Sequence, residues 1–586
     1  LVSLDAEGEG AGGILKRLVT RASEPVIRQA LLGAMQILGH QFVMGRTIAE
    51  ALQRARSNEK AGYRHSYDML GEAACTMADA RRYFESYTDA IRAIGAEPGP
   101  ADVHAAPGLS VKLSALHPRY ESGKRDRVMG ELLPAVKSLA LDARKANIGL
   151  TIDAEESDRL ELSLDLFESL AIDNDLSHWN GLGLAVQAYQ KRATAVIDWL
   201  ADLARRGNRR LIVRLVKGAY WDTEIKQAQE RGHADYPVFT RKLGTDVSYI
   251  ACAKKLLAVP DAFYPAFATH NAQTLSSVLE IASQAKGYEL QRLYGMGEAL
   301  YRQFYNQTAS PHEPLAHPCR VYAPVGGHAE LLAYLVRRLL ENGANTSFVH
   351  RVVDANSPVD DLLADPAEQM ALLESKRHPR IPLPRDIFGA ERINSAGLDL
   401  WDAETLATLT QAVTQSRECQ CLAAPLVGGA LSDGVGMHSV INPADGSDMI
   451  GSVVEASATD VEAAMAGAKF AQRNWDSTPA NHRAEILGRA ADLMESRMPA
   501  LVALIVREGG RTLADATAEV REAIDFLRYY ARQAQIQFAF PIELQGPTGE
   551  YNALRLSGRG VFVCISPWNF PMAIFTGQIA AALVAG

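Results

Sequence analysis

The spacing of apolar and polar positions changes rhythm along the chain, and each rhythm predicts a different kind of element. From residue 24, EPVIRQALLGAMQILGHQFVMG places Ile27, Leu31, Ala34, Met35 and Leu38 on one helix face. Residues 1–62 are therefore expected to be a helical segment that needs a partner surface. Between 63 and 325 the rhythm shifts to short apolar runs separated by helical stretches. The first runs are YRHSYDML (63–70), LSVKLSAL (109–116), IGLTIDAE (148–155) and LGLAVQAY (182–189). LIVRLVKG (211–218), FYPAFATH (263–270), ELQRLYG (289–295) and CRVYAPVG (319–326) follow. Eight strands alternating with helices over about 260 residues predict a (β/α)8 barrel spanning 63–350.

The polar positions add a second regularity. The runs begin apolar and carry Asp68, Lys112, Asp153, Gln187, Arg214, His270 and Tyr322 toward their ends. A single polar strand end is ordinarily a cap or turn residue, but seven at one phase would converge on the C-terminal mouth of a barrel. Further on, AYLVRRLLENGANTSF (333–348) predicts a helix stopped by Asn342-Gly343. Its adjacent Arg337 and Arg338 point about 100° apart, and Glu341 stands one turn on, within reach of either. The ordinary reading of such a trio is an exposed ion-pair ladder.

After Asn345 proline and acidic residues become frequent, and 351–435 reads as a linker with short helices. From 436 to 586, HSVINPADGSDMIGSVVEAS predicts strand, turn and strand; long helices follow, then RGVFVCISPWNFP as an apolar strand ending in a proline-bounded loop. This is the beginning of an α/β domain. The chain opens on leucine and closes in or just past a helical run, so both ends are expected to be interior points of a longer polypeptide.

At 586 residues the chain needs more than one core, and 47% hydrophobic with 22% charged residues fits folded domains. A net charge of -9 argues against a protein that coats nucleic acid. Six cysteines at 75, 252, 319, 419, 421 and 564 form no paired framework, which points to a reducing compartment and a cytoplasmic location. No apolar run reaches membrane-spanning length. GEGAGG (8–13) satisfies the dinucleotide glycine pattern, but no apolar strand precedes it, so it reads as a flexible leader.

At the mouth, Lys112, Arg337 and Arg338 would bring positive charge that Asp68, Asp153 and Glu341 partly neutralise. The remaining guanidinium forks suit a small carboxylate. Tyr220, Tyr322, Leu215 and Leu293 would wall a compact apolar body. None of the fourteen histidines has metal-ligand spacing, and Ser114 lies in no nucleophile frame. Cations and tyrosines without a nucleophile suggest that a bound cofactor performs the hard step. A Schiff-base aldolase using Lys112 is the rival enzyme reading.

The blocks RLVKGAYWDTEI, NIGLTIDAEESDRLELSLDLFE, GLAVQAYQKR, FATHNAQTL and AYLVRRLLENGANTSF closely resemble the proline dehydrogenase barrel of bifunctional proline utilization A flavoproteins. The resemblance runs from about residue 24 to 350. It implies FAD at the barrel mouth, with Arg337 and Arg338 on a last helix gripping the carboxylate of L-proline. Arg214, Lys217, Gly218, Gln187, Trp221, Thr269, His270, Asn271 and Glu341 resemble FAD-binding positions, supported by Asp153. Lys112, Tyr220, Leu215, Leu293, Tyr322 and Tyr334 resemble the substrate pocket, and Asp68 a supporting ion pair. The implied reaction converts L-proline to pyrroline-5-carboxylate and passes electrons to quinone, with peripheral contact at the inner membrane surface.

VINPADGS, REGGRT and ISPWNFP resemble the opening of the aldehyde dehydrogenase superfamily. The resemblance makes Ser566, Pro567 and Trp568 NAD contacts and Asn569 an oxyanion donor. Cys564 reads as a core residue of the preceding strand, not as the nucleophile, which lies further downstream in that superfamily. The 586 residues are thus expected to oxidise proline, and the longer polypeptide also to oxidise glutamate semialdehyde with NAD. A DNA-binding autorepressor role is expected only if a basic amino-terminal module exists in that longer chain. A homo-oligomer is left open.

Overall fold

The computed structural model describes residues 41–306, 317–327, 334–338, 363–418 and 420–586. The helix face expected at 27–38, the glycine run at 8–13, Glu341 with the Asn342-Gly343 stop, and Cys419 lie outside them. The chain forms two compact units: Leu1–Trp221 with Pro237–Arg377, and Asp222–Tyr236 with His378–Gly586.

In the first unit, strands β1 (Tyr63–Met69), β2 (Gly108–Val111), β3 (Gly149–Ile152) and β4 (Leu182–Gln187) lead into β5 (Leu211–Val216). With β6 (Phe263–Ala268), β7 (Glu289–Leu293) and β8 (Cys319–Val325) they close in chain order into an eight-stranded barrel. Every neighbouring pair is parallel, including β1 with β8. One side-chain set, including Tyr67, Leu109, Val111, Leu150, Ile152, Val213, Phe263 and Phe267, is buried with the apolar faces of the surrounding helices in one core. The other set faces the lumen, because strand side chains alternate with period two. Here that set is polar, whereas barrel interiors are ordinarily filled with branched apolar side chains. Two of the helices between strands start at side-chain caps: Thr76 and Asp79 form a reciprocal box at Met77–Gly95, and Asn271 caps Ala272–Ile281.

The strands stop sooner than the apolar runs predicted. LSVKLSAL is strand only to Val111; Leu113–Leu116 turns into a short helix, all four residues buried. Ser114 there receives Ala73 N–H on its hydroxyl at 3.0 Å and Ala74 N–H on its carbonyl at 2.8 Å, tying the loop after β1 to the loop after β2. Alternating leucines read as strand because both elements bury them.

In the second unit, β9 (Cys421–Ala423), β10 (Val435–Asn442) and β11 (Asp445–Glu455) make one sheet: β10 and β11 form the expected antiparallel hairpin, and β9 runs parallel to β11. Helices Ala458–Ser477, Ala480–Ser496, Met498–Gly509, Leu513–Gln537 and Ala573–Ala585 follow. Leu487, Val502, Val520, Ile524 and Val584 lie in the common core of the last four, while the Ala458–Ser477 helix adds no residue to it. The apolar strand expected in RGVFVCI is absent: residues 561–567 have no regular structure, and Phe562, Val563 and Ile565 are exposed. A strand needs a neighbouring ladder, and none of the described strands pairs with this stretch. Cys564 is therefore a half-buried residue of an irregular segment, not part of a strand core.

Candidate active site

The polar lumen is a set of paired charges. Below the mouth, Lys112 donates to Asp68 at 2.7 Å, to Asp153 at 3.3 Å and to the Tyr322 hydroxyl at 3.4 Å. The Tyr322 hydroxyl in turn donates to Asp153 at 2.6 Å. Arg214 of β5 reaches across the lumen: one terminal nitrogen donates to Asp153 at 2.5 Å, the other to Ser110 at 2.9 Å and Ser66 at 3.3 Å. Its Nε donates to Gln291 of β7 at 2.8 Å, and its guanidinium lies 5.0 Å from the Tyr322 ring centroid. Partners on β1, β2, β3 and β7 meet only inside the barrel, which fixes the inward phase of all these residues.

Burial alone would lower the Lys112 pKa, but Asp68, Tyr322 and Asp153 outweigh it and hold the ammonium well above its ordinary value. Burial pushes Asp68 up against the pull of Lys112. The Tyr322 phenol is also driven up, by burial first and then by Asp153 and Asp68. Lys112 is thus a firmly protonated cation, which argues against Schiff-base chemistry, where a neutral amine must attack.

Deeper in the lumen, Gln291 donates to Glu289 at 2.7 Å. Glu289 takes two bonds from Arg320, at 2.7 and 3.0 Å. Arg320 ends the chain on the backbone carbonyls of His65, Ala106 and His104, at 3.1, 2.8 and 2.6 Å.

Phe42, Val43, Leu70, Met296, Tyr334 and Leu335 form a small apolar cluster, with Leu293 packed against it. Leu70, Leu293 and Met296 follow or end their strands, so the cluster belongs to the C-terminal mouth. Helical residues 334–338 bring the two arginines there. Arg337 is held bidentately by Glu72, both bonds 2.7 Å, with its guanidinium 5.3 Å from the Tyr220 ring centroid. Burial would raise the Glu72 carboxyl, but the Arg337 hydrogen bond and charge keep it below its ordinary range. Arg338 is buried, with its guanidinium 5.3 Å from the Tyr334 ring centroid. The expected partner Glu341 lies outside the described residues.

One wall residue is misplaced by the sequence reading. Leu215 alternates with the inward Arg214 and is fully buried in the layer between strands and helices, so the structure does not bring it to the lumen cluster.

The remaining cofactor candidates stand at the adjacent ends of β4, β5 and β6. Gln187 donates to the Glu155 carbonyl at 2.8 Å. Lys217 is bonded to Asp246 and, at 3.1 Å, to Thr274. Gly218 has φ +131°, and a Cβ there would lie 2.5 Å from the Tyr189 ring, so Tyr189 alone requires the glycine. The Trp221 indole donates to the Phe239 carbonyl at 2.8 Å. The Thr269 hydroxyl accepts from Asn271 N–H at 3.2 Å, and Asn271 caps its helix by accepting from Thr274 N–H at 2.9 Å. His270 Nε2 accepts from Leu293 N–H at 3.0 Å, which leaves a neutral ring to carry its proton on Nδ1. Ser66, Ser110, Glu72, Asp246, Glu289 and Gln291 were not anticipated. Ser66, Ser110, Glu289 and Gln291 carried a signal, being polar residues in phase with Asp68, Lys112 and Leu293; Asp246, in the middle of a helix, carried none.

In the second unit, Trp568 is 90% exposed and the Asn569 carbonyl accepts from Arg511, whose guanidinium lies 4.6 Å from the Phe570 ring centroid. Buried Glu519 accepts from Met572 N–H at 2.9 Å, fixing the start of the Ala573–Ala585 helix. Ser566 and Pro567 are half-buried between these anchors.

The first unit is thus a closed parallel barrel with a charged lumen and two adjacent arginines at its mouth. The proline dehydrogenase family model matches residues 51–351, and the chain belongs to that family. The aldehyde dehydrogenase family model matches residues 432–586. The chain is 53% identical over 581 residues to the bifunctional protein PutA of Salmonella typhimurium, covering 98% of this chain and 43% of that protein. It thus spans less than half the length of that curated relative. A crystal structure of Bradyrhizobium japonicum proline utilization A superposes with TM-score 0.83 at 49% identity, over 97% of this chain and 54% of that one. The structure of proline utilization A from Bdellovibrio bacteriovorus inactivated by N-propargylglycine gives 0.85 at 28% identity, over 96% and 58%.

Proposed function

We propose that the barrel oxidises L-proline to pyrroline-5-carboxylate with FAD bound at its mouth. The observation that carries this reading is the carboxylate already held bidentately by Arg337 at the apolar mouth, with Lys112 acting electrostatically on the carboxylate and Tyr322 on the guanidinium. A guanidinium fork suited to Glu72 is suited to a small amino-acid carboxylate. Tyr220, Leu293 and Tyr334 supply surface for an apolar ring. Excess positive charge favours loss of a proton from a substrate ammonium.

The donor set at the ends of β4, β5 and β6 fits a flavin: amide, guanidinium, ammonium, imidazole and glycine backbone on three adjacent strands. Gln187, Arg214, Lys217, Gly218, Trp221, Thr269, His270 and Asn271 would hold it, with Asp153 orienting Arg214. When bound, FAD accepts the hydride equivalent from proline. Arg337 and Arg338 fix the substrate carboxylate, so that the ring is presented in one orientation. The lumen charges keep that floor rigid. The longer polypeptide would deliver electrons to quinone and oxidise glutamate semialdehyde with NAD, Ser566, Pro567 and Trp568 facing NAD and Asn569 the oxyanion.

The test is the visible spectrum of the purified chain offered FAD, before and after L-proline without oxygen. Yellow absorbance that bleaches supports the reading. A flavin spectrum indifferent to proline discards the substrate, and a folded chain that takes up no flavin discards the cofactor.

A further inference from the structure

We infer that Gln291 is a positioning residue that fixes the guanidinium of Arg214 against the flavin; the inference rests on the function proposed above. The charge of Arg214 is already answered by Asp153, and Ser110 and Ser66 hold its second terminal nitrogen. Its Nε edge is held from β7, by the side-chain oxygen of Gln291 at 2.8 Å. That bond adds no charge compensation. It adds direction.

The amide of Gln291 cannot turn over. Its nitrogen donates to Glu289 at 2.7 Å, so a flip would set an N–H2 group against a guanidinium and a carbonyl oxygen against a carboxylate. Glu289 is immobilised by two bonds from Arg320, and Arg320 by three backbone carbonyls. The backbone of Gln291 is pinned as well: the Tyr301 hydroxyl lies 2.9 Å from its carbonyl and 2.9 Å from that of Thr269, tying β7 to the end of β6. Gln291 and Tyr301 are both buried. A directional chain therefore runs from backbone carbonyls deep in the lumen to the Nε of Arg214. Such a chain sets where a cation sits to a few tenths of an ångström, which a flexible ion pair alone does not.

A cation held close to a flavin favours the reduced form, so loosening Arg214 makes reduction harder. The test uses the FAD-loaded chain and two variants. Gln291→Met removes the acceptor at nearly constant volume. The expected result is a tenfold shift of the flavin equilibrium toward the oxidised form, about 30 mV for a two-electron couple. The maximal rate of reduction by proline should fall about tenfold, while the apparent proline KM changes less than twofold. If the methionine variant does not fold, Gln291→Asn, which withdraws the acceptor by one methylene, should give the same shift. A Gln291→Met or Gln291→Asn protein with the parent's potential and rate overturns the inference. A parent chain that takes up no flavin overturns the functional reading instead.

Discussion

Under the proposed function, Arg337 serves two carboxylates. Glu72 already occupies its fork, and a ligand carboxylate must share that fork or displace Glu72. Arg337→Met should weaken proline binding by about 2 to 5 kcal/mol, the cost of stranding a desolvated charge partner. Turnover at subsaturating proline close to the parent's would contradict this. The pair also has a pH signature. The folded pKa of Glu72 lies below its ordinary 4.5, so the unfolded chain binds the extra proton between the two values. The stabilisation is complete above about pH 4.5 and disappears as pH falls through the folded value. Urea midpoints of the parent and Glu72→Gln should therefore differ at pH 7 and converge toward pH 3. At this scale the shared phase of Lys112, Asp153 and Arg214 at strand ends was legible in the sequence, and the structure does gather them in the lumen, while Arg337 taken alone read as part of an exposed ion-pair ladder. Glu72 was not legible: an acidic residue two positions beyond a strand looks like any loop residue.

Whole elements were easier to read than their limits. Eight runs predicted eight strands, since alternation and apolar content mark a strand whatever it packs against. The ends failed for a local reason. At Leu113–Leu116, burial of every side chain erased the difference between the two periodicities. At residues 561–565 a strand-like composition had no ladder to join. Leu215 failed by one step of the pleat, which a resemblance between blocks does not track. The loop after β5 offers a direct check on element geometry. Gly218→Ala would place a methyl 2.5 Å from the Tyr189 ring at φ +131°, and should destabilise the barrel by about 1 to 3 kcal/mol. A lowered thermal midpoint, with the second unit's helical signal intact, is the expected result.

For the molecule as a whole, the lumen replaces much of an apolar filling with ion pairs, among them Lys112 with Asp68 and Asp153, Arg214 with Asp153, and Arg320 with Glu289. Buried pairs are expensive to break singly, because the survivor stays behind without water. Arg320→Met should cost about 3 to 5 kcal/mol, read as a drop in urea midpoint, and more than any exposed pair such as Arg92 with Asp89. Among the described residues no helix is long and apolar enough to cross a membrane.

The register of β1 against β8 carries a consequence for how the ring comes together. These two strands share seven paired positions, from Tyr63 with Cys319 to Met69 with Val325, while no other neighbours share more than five. They are also the neighbours furthest apart in sequence. Three doublings of loop length cost roughly 2 kcal/mol of closure entropy, and the longest zipper stands where that toll is heaviest. Arg337 and Glu72, one after β8 and one after β1, fasten the same seam. A contact expected to hold substrate thus doubles as a clasp on the joint whose strands lie furthest apart in the chain, so occupancy of the mouth and closure of the circle should report on one another.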